Sequence, residues 1–272
     1  MSEPAFLQTA IDIVTRAGEI KRSGQASGFR VTKKGTTDLV TEVDLACERM
    51  CREILAGRFP DHDVLAEEGG GDNRPGSRYR WVFDPLDGTT NYAHGLPIFC
   101  ASLGLEIDGR TVVGAVYDPS RRELFTAERG HGATLNGSPI RVSETSILID
   151  SLLATGFPYG AQRGTGDLLE VFGAFLTQAR AVRRLGSAAL DLCYVATGRF
   201  EAFWEQHLKP WDVCAGALIV EEAGGRVTGM DGTPFDPLAG HLIASNGALH
   251  EEMLRVIREK RSGLNRTRTD RV

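Results

Sequence analysis

The sequence predicts a layered α/β (α+β) fold, and three observations carry that prediction. Apolar runs joined by Asp108-Gly109 and Asn136-Gly137 fill much of the first half, as in an antiparallel sheet. Strand-like and helix-like segments then alternate through the second half, which favours sheets covered by helices. Finally, 272 residues that are 42% hydrophobic and 25% charged can bury a sizeable core, and no linker announces a boundary. The chain reads as one domain over 1–258, with halves of about 1–145 and 146–258. Residues 259–272, rich in Arg, Ser, Thr and Asn, read as a mobile tail.

Pro4 to Gly24 puts Phe6, Leu7, Ala10, Ile11, Val14, Ala17 and Ile20 on one helical face and predicts a scaffold helix. Phe29 to Gly35 reads as a short strand ending in a basic turn. Thr41 to Asp44 resembles a capping box, so a second helix should run to about Arg58. Trp81-Val82-Phe83 ends a buried strand, and Phe99–Leu105 pairs with Thr111–Tyr117 across Asp108-Gly109. Leu124–Ala127 and Ala133–Leu135 continue that sheet. Further on, strands at Ser151–Gly156, Ala181–Leu185 and Ala202–Trp204 alternate with helices at Asp167–Gln178, Ser187–Thr197 and Val213–Ala223. Strands near Arg226–Thr228 and Leu242–Ala244 precede a last helix over Asn246–Arg258.

The chemistry concentrates in Trp81 to Gly95, WVFDPLDGTTNYAHG. Pro85 removes a backbone donor and Gly88 permits backbone angles closed to other residues, so a tight turn can point carbonyls inward. Asp84, Asp87 and the Leu86 carbonyl then make an all-oxygen surface suited to a hard divalent cation such as Mg²⁺. Asp, Pro, Gly and Thr are also ordinary turn vocabulary, and most such clusters bind nothing. Two further acidic sites tilt the balance: Val64 to Gly70, with Glu67 and Glu68, and Lys209-Pro210-Trp211-Asp212. Each sets an acid beside apolar residues, where an unpaired carboxylate is costly.

These residues resemble the inositol monophosphatase family of Mg²⁺-dependent, lithium-sensitive phosphatases. Asp84 to Asn91 is similar to its D-P-[LI]-D-G-T-T-N signature and Trp211 to Gly216 to its W-D-x-x-A-G signature. Leu39 to Asp44 and the Glu67-Glu68 pair fit as well, and the resemblance covers the chain to about Arg258. It implies a layered α-β-α-β-α sandwich of the sugar phosphatase type. It also implies two or three Mg²⁺ ions, with Glu67, Asp84 and the Leu86 carbonyl on one and Asp84, Asp87 and Asp212 on another. Asp44, by itself a first-turn acid favoured by the helix dipole, is implied to hold Thr89, which orients the attacking water with Glu67. Backbone N–H groups of Gly88 and Thr89 would hold phosphate oxygens, and Gly186, Ser187, Ala188 and Glu205 the polyol. Lys33, otherwise a surface lysine, would sit near a loosely held ion or the phosphate.

The implied activity is hydrolysis of myo-inositol 1-phosphate by activated water. Asp84 and Asp87 are three apart, unlike the D-x-D of haloacid-dehalogenase-type phosphatases, which favours direct attack by water. Fructose 1,6-bisphosphate, histidinol phosphate and 3′-phosphoadenosine 5′-phosphate are alternative substrates, and a metal-binding regulatory protein acting through a partner is the non-catalytic alternative. Phe157 to Thr165 reads as part of the rim, while His94 and His131 read as structural.

A net charge of −5 argues against a nucleic-acid surface spread over the protein. The five cysteines, at 47, 51, 100, 193 and 214, show no zinc or CxxC spacing and suit a reducing cytoplasm. No run approaches membrane-spanning length. The family resemblance adds the expectation of a homodimer.

Overall fold

The computed structural model describes residues 4–33, 35, 39–72, 74, 76–158 and 167–269, with side chains described up to Lys260. Helix α1 (Pro4–Ser27) is followed by a small hairpin of β1 (Val31–Lys33) and β2 (Leu39–Thr41), and then by α2 (Glu42–Arg58). Next come β3 (Asp63–Ala66), β4 (Gly70–Gly71), β5 (Tyr79–Asp87) and the short α3 (Thr89–Ala93). Strands β6 (Cys100–Ile107), β7 (Arg110–Asp118), β8 (Glu123–Glu128), β9 (Gly132–Leu135) and β10 (Ser138–Pro139) complete an eight-stranded sheet. Its order is β10-β9-β8-β7-β6-β5-β3-β4, antiparallel throughout except where β3 runs parallel to β5.

The second sheet holds β11 (Leu152–Thr155), β12 (Ala181–Arg183), β13 (Ala202–Gln206), β14 (Arg226–Thr228) and β15 (His241–Ser245), in the order β12-β11-β13-β15-β14. Four helices accompany it: α4 (Leu168–Gln178), α5 (Ala188–Ala196), α6 (Pro210–Glu222) and α7 (His250–Thr269).

Three apolar clusters make the five layers. One packs α1 and α2 against Trp81, Phe83, Leu103 and Leu105 of the large sheet. A second fills the space between the sheets with α5 and α6, meeting Val116 and Phe125 on one side and Phe203 and Ala244 on the other. The third packs α4 and α7 on the outer face of the small sheet, against Ala202, Trp204 and Ile243. Period-two alternation is plain on β13: Phe203 faces inward, while Ala202 and Trp204 face outward. This α-β-α-β-α sandwich is the expected architecture.

Local signals explain most boundaries. The Thr41 hydroxyl accepts from the Val43 and Asp44 N–H groups, and Asp44 accepts from the Thr41 N–H, completing the capping box that starts α2. Asp108 and Gly109 both adopt positive φ, as do Asn136 and Gly137, so both hairpin turns form where expected. Helix α1 runs past Gly24 to Ser27, and two later helices differ at their starts. Helix α6 starts earlier because Pro210 occupies its first turn, where a missing N–H costs nothing. Helix α7 starts later, after a turn at Gly247, and continues to Thr269 through strong helix formers such as Glu259 and Lys260. Of the tail expectation, only 270–272 lies outside the described residues.

Candidate active site

Strand β5 carries apolar side chains to Phe83, then its register against β6 shifts between Asp84 and Asp87. The irregularity turns consecutive polar groups toward one cavity of about 430 Å³. Asp84 is only 2% exposed and accepts from the Leu86 N–H at 2.9 Å. Gly88 closes the turn with φ near +90°, and a Cβ there would stand 2.8 Å from the Ile98 carbonyl oxygen. Both the angle and the space require glycine. The Thr89 hydroxyl then donates to the Leu86 carbonyl at 2.8 Å and lies 3.3 Å from Asp44 Oδ1.

Asp87 closes the same strand, and two other segments bring carboxylates to the same cavity. Asp87 Oδ2 accepts from the Ser187 hydroxyl at 2.7 Å and from the Ala189 N–H at 2.8 Å, which ties the β5 turn to the start of α5. Asp212, in the first turn of α6, accepts from the Lys209 N–H at 2.6 Å. Glu67 follows β3, its N–H donating to the Phe83 carbonyl, and the next turn is anchored by Glu48 on the Glu68 and Gly69 N–H groups. Among the described residues no three acidic, imidazole or thiol side chains are already gathered as a closed ion-binding cluster. Asp84, Asp87 and Asp212 each hold one carboxylate oxygen in a protein hydrogen bond, and the other can turn to a cation.

The electrostatics fit such a cation. Burial, then the neighbouring Glu67, Asp87 and Asp212, push the Asp84 carboxyl well above its usual range, opposed by Lys21. Asp212 is likewise pushed well up by burial and Asp87. Asp87 rises through burial despite its hydrogen bonds. Asp44 rises through burial, opposed mainly by Thr41. Like charges gathered at a buried point with oxygen ligands only describe a site for a hard divalent ion.

Opposite the acids the cavity is shaped for a polar ligand. Glu205, at the end of β13, has its carboxyl pushed to about 8 by burial, against the attraction of Arg184. It packs on Gly156, where a Cβ would fall 2.0 Å from Glu205 Oε2. Glu67, Asp84, Leu86, Asp87, Gly88 and Thr89 all line the cavity. So do Gly186, Ser187, Ala188, Glu205 and Asp212. Asp44 stands behind Thr89 rather than at the surface of the cavity. The Ser187 hydroxyl is already engaged with Asp87, so its part in the site is to position that carboxylate. Lys33 lies exposed on β1 and is not among the lining residues. Phe157 and Pro158 reach the rim, while 159–165 lie outside the described residues.

Sequence reasoning passed over Arg184, His207 and Lys209, which line the same cavity. Arg184 sits two residues before the Gly186 turn, a strand-end signal that could have flagged it. His207 adopts φ near +65°, which no sequence pattern reveals. His94 and His131 are exposed and away from the cavity, as expected. All five cysteines are free and buried, and burial raises the thiols, Cys47 to about 11 and Cys214 to about 12. They are packing residues.

Comparison with known proteins agrees with this geometry. The inositol monophosphatase family model matches residues 4–262. Inositol-1-monophosphatase of Synechocystis sp. is 44% identical over 255 residues, covering 92% of this chain and 89% of that one. Nus factor SuhB of Escherichia coli is 40% identical, covering 94% and 97%. The solved inositol monophosphatase from Anabaena (Nostoc) sp. is 41% identical, covers 94% of this chain and 96% of its own, and superposes with a TM-score of 0.85. A match over nearly the whole length, on the same layered fold and with both signatures meeting in one cavity, means that the chain belongs to the inositol monophosphatase family.

Proposed function

We propose that this protein is a Mg²⁺-dependent phosphomonoesterase that hydrolyses myo-inositol 1-phosphate. The observation that carries the reading is the meeting of Glu67, Asp84, Asp87 and Asp212 at one cavity beside the Thr89 hydroxyl. Glu67, Asp84 and the Leu86 carbonyl would hold one ion, and Asp84, Asp87 and Asp212 a second, with a third ion loosely held. When bound, Mg²⁺ neutralises the phosphate dianion, makes water a better nucleophile at neutral pH and stabilises the leaving alkoxide.

The chain's own groups do the rest. Thr89, backed by Asp44, orients the water, and Glu67 can take up its proton. The N–H groups of Gly88 and Thr89 hold phosphate oxygens. The Leu86 carbonyl has two lone pairs, so its bond from Thr89 leaves one for a cation. Glu205 and the Gly186–Ala188 turn face the polyol. By family resemblance the enzyme works as a lithium-sensitive homodimer in the cytoplasm.

The SuhB relatives carry the name Nus factor, which keeps a partner-binding role as the second reading. Phosphate release separates the two, measured on inositol 1-phosphate, fructose 1,6-bisphosphate, histidinol phosphate and 3′-phosphoadenosine 5′-phosphate, with Mg²⁺, with EDTA and with added Li⁺. Preferred, Mg²⁺-dependent turnover of inositol 1-phosphate supports the proposal. Turnover of another substrate alone replaces the substrate, and no turnover despite Mg²⁺ binding replaces the enzyme by the partner-binding protein.

A further inference from the structure

The core holds a charged side chain that does not line the cavity. Lys21 is fully buried on α1, and its Nζ makes no hydrogen bond among the described residues. The backbone fixes where it lies. One turn earlier, the Ala17 carbonyl accepts from the Cys47 thiol on α2, and the Lys21 carbonyl itself accepts from the Tyr92 hydroxyl on α3 at 2.8 Å. Lys21 is thus bracketed by the α2 face that carries Asp44 and Cys47 and by the short helix that begins at Thr89. Asp44 in turn contacts Thr89, whose hydroxyl reaches the Leu86 carbonyl. The lysine therefore occupies the layer directly behind the site.

Its charge is felt there. Lys21 favours the ionised forms of Asp44 and Asp84 and of the Cys47 and Cys100 thiols. Taking an ammonium out of water with no hydrogen-bond partner is costly unless opposite charge compensates. The carboxylates whose ionised forms it favours, Asp44 and Asp84, are those of the site.

We infer that Lys21 is a built-in counter-charge, a fixed cation behind Asp44 and Asp84 that lets the acids stand together before Mg²⁺ binds and weakens Mg²⁺ binding once it does. This rests on the metal-site reading above. It makes Lys21 a positioning residue, since it does not line the cavity.

The test is Mg²⁺ affinity by calorimetry and thermal melting in EDTA, for the wild type and Lys21→Met. The variant should bind Mg²⁺ about tenfold more tightly, because one repelling charge is gone. It should also melt lower than the wild type in EDTA and gain more on adding Mg²⁺. Unchanged affinity, or a higher melting point in EDTA, overturns the inference: the latter is what relief of a merely stranded lysine would give. If Lys21→Met does not fold, the double variant Lys21→Met, Asp44→Asn should, since it removes charge of both signs; failure of both to fold also overturns it. Absence of Mg²⁺ binding by the wild type sinks the metal reading instead, so the two failures are distinct.

Discussion

Asp84→Asn separates a metal site from an ordinary acidic turn, because the two accounts give opposite signs without metal. Burial and three nearby carboxylates raise the Asp84 carboxyl, so its ionised form opposes folding, and that cost grows as pH climbs from 3.8 toward the raised folded value. At an effective dielectric constant of 20, a like-charged pair roughly 5–8 Å apart costs about 2–3 kcal/mol. Glu67, Asp87 and Asp212 repel, and Lys21 attracts. Partial protonation of the cluster relieves most of this, so asparagine should recover on the order of one such pair, about 2 kcal/mol. Asparagine keeps the acceptor for the Leu86 N–H. A domain of this size shifts by about 2–4 °C per kcal/mol, so Asp84→Asn should melt roughly 4–8 °C higher than the wild type in EDTA at pH 8. With saturating Mg²⁺ the order should reverse, because a carboxylate proposed to hold the ions is gone. A lower melting point in EDTA together with an undiminished gain from Mg²⁺ would refute the reasoning.

Three further outcomes are expected. Thr89→Ala removes the hydroxyl between Leu86 and Asp44 and should lower kcat by about 10²–10⁴-fold with little change in Mg²⁺ affinity; equal losses in both would make the threonine structural. Gly156→Ala would place a methyl 2.0 Å from Glu205 Oε2, so the glutamate must move. The KM for polyol phosphates should rise several-fold while Mg²⁺ binding stays the same, and an unchanged KM would remove Glu205 from recognition. His250 is buried between the Thr228 and Ser245 hydroxyls and its pKa is lowered to about 4 by burial. Its contribution is full above the unfolded value of 6.5 and is lost as pH falls toward 4, by at most roughly 3 kcal/mol. Urea unfolding at pH 7.5 and pH 5 should show a smaller loss for His250→Asn than for the wild type; parallel losses would contradict the assignment.

The parts of the fold that local chemistry dictates were legible in the sequence. The capping box at Thr41, the two positive-φ hairpins and the period-two strands all stand where the residues place them, because each is decided by neighbours a few positions away. The carboxylates of the site were legible for a different reason: Asp84 and Asp87 sit in one short turn, and Asp212 and Glu67 lie in motifs of their own. Long-range pairings were not legible. The grip of Ser187 on Asp87 joins residues a hundred positions apart, and only the docking of α5 on the large sheet creates it. Lys21 shows the same limit, since a lysine on an apolar stripe reads as a surface residue until α2 and α3 close over it. His207 is hidden because its backbone conformation follows from the turn between β13 and α6, not from its own preference.

Calorimetric titration of metal-free protein with Mg²⁺, for the wild type beside Asp84→Asn, tests the proposed site most directly. If Asp84 bridges two ions, the wild type should bind about two Mg²⁺ per chain and the variant should lose at least one of them. Equal stoichiometry and affinity in the two proteins would contradict the account.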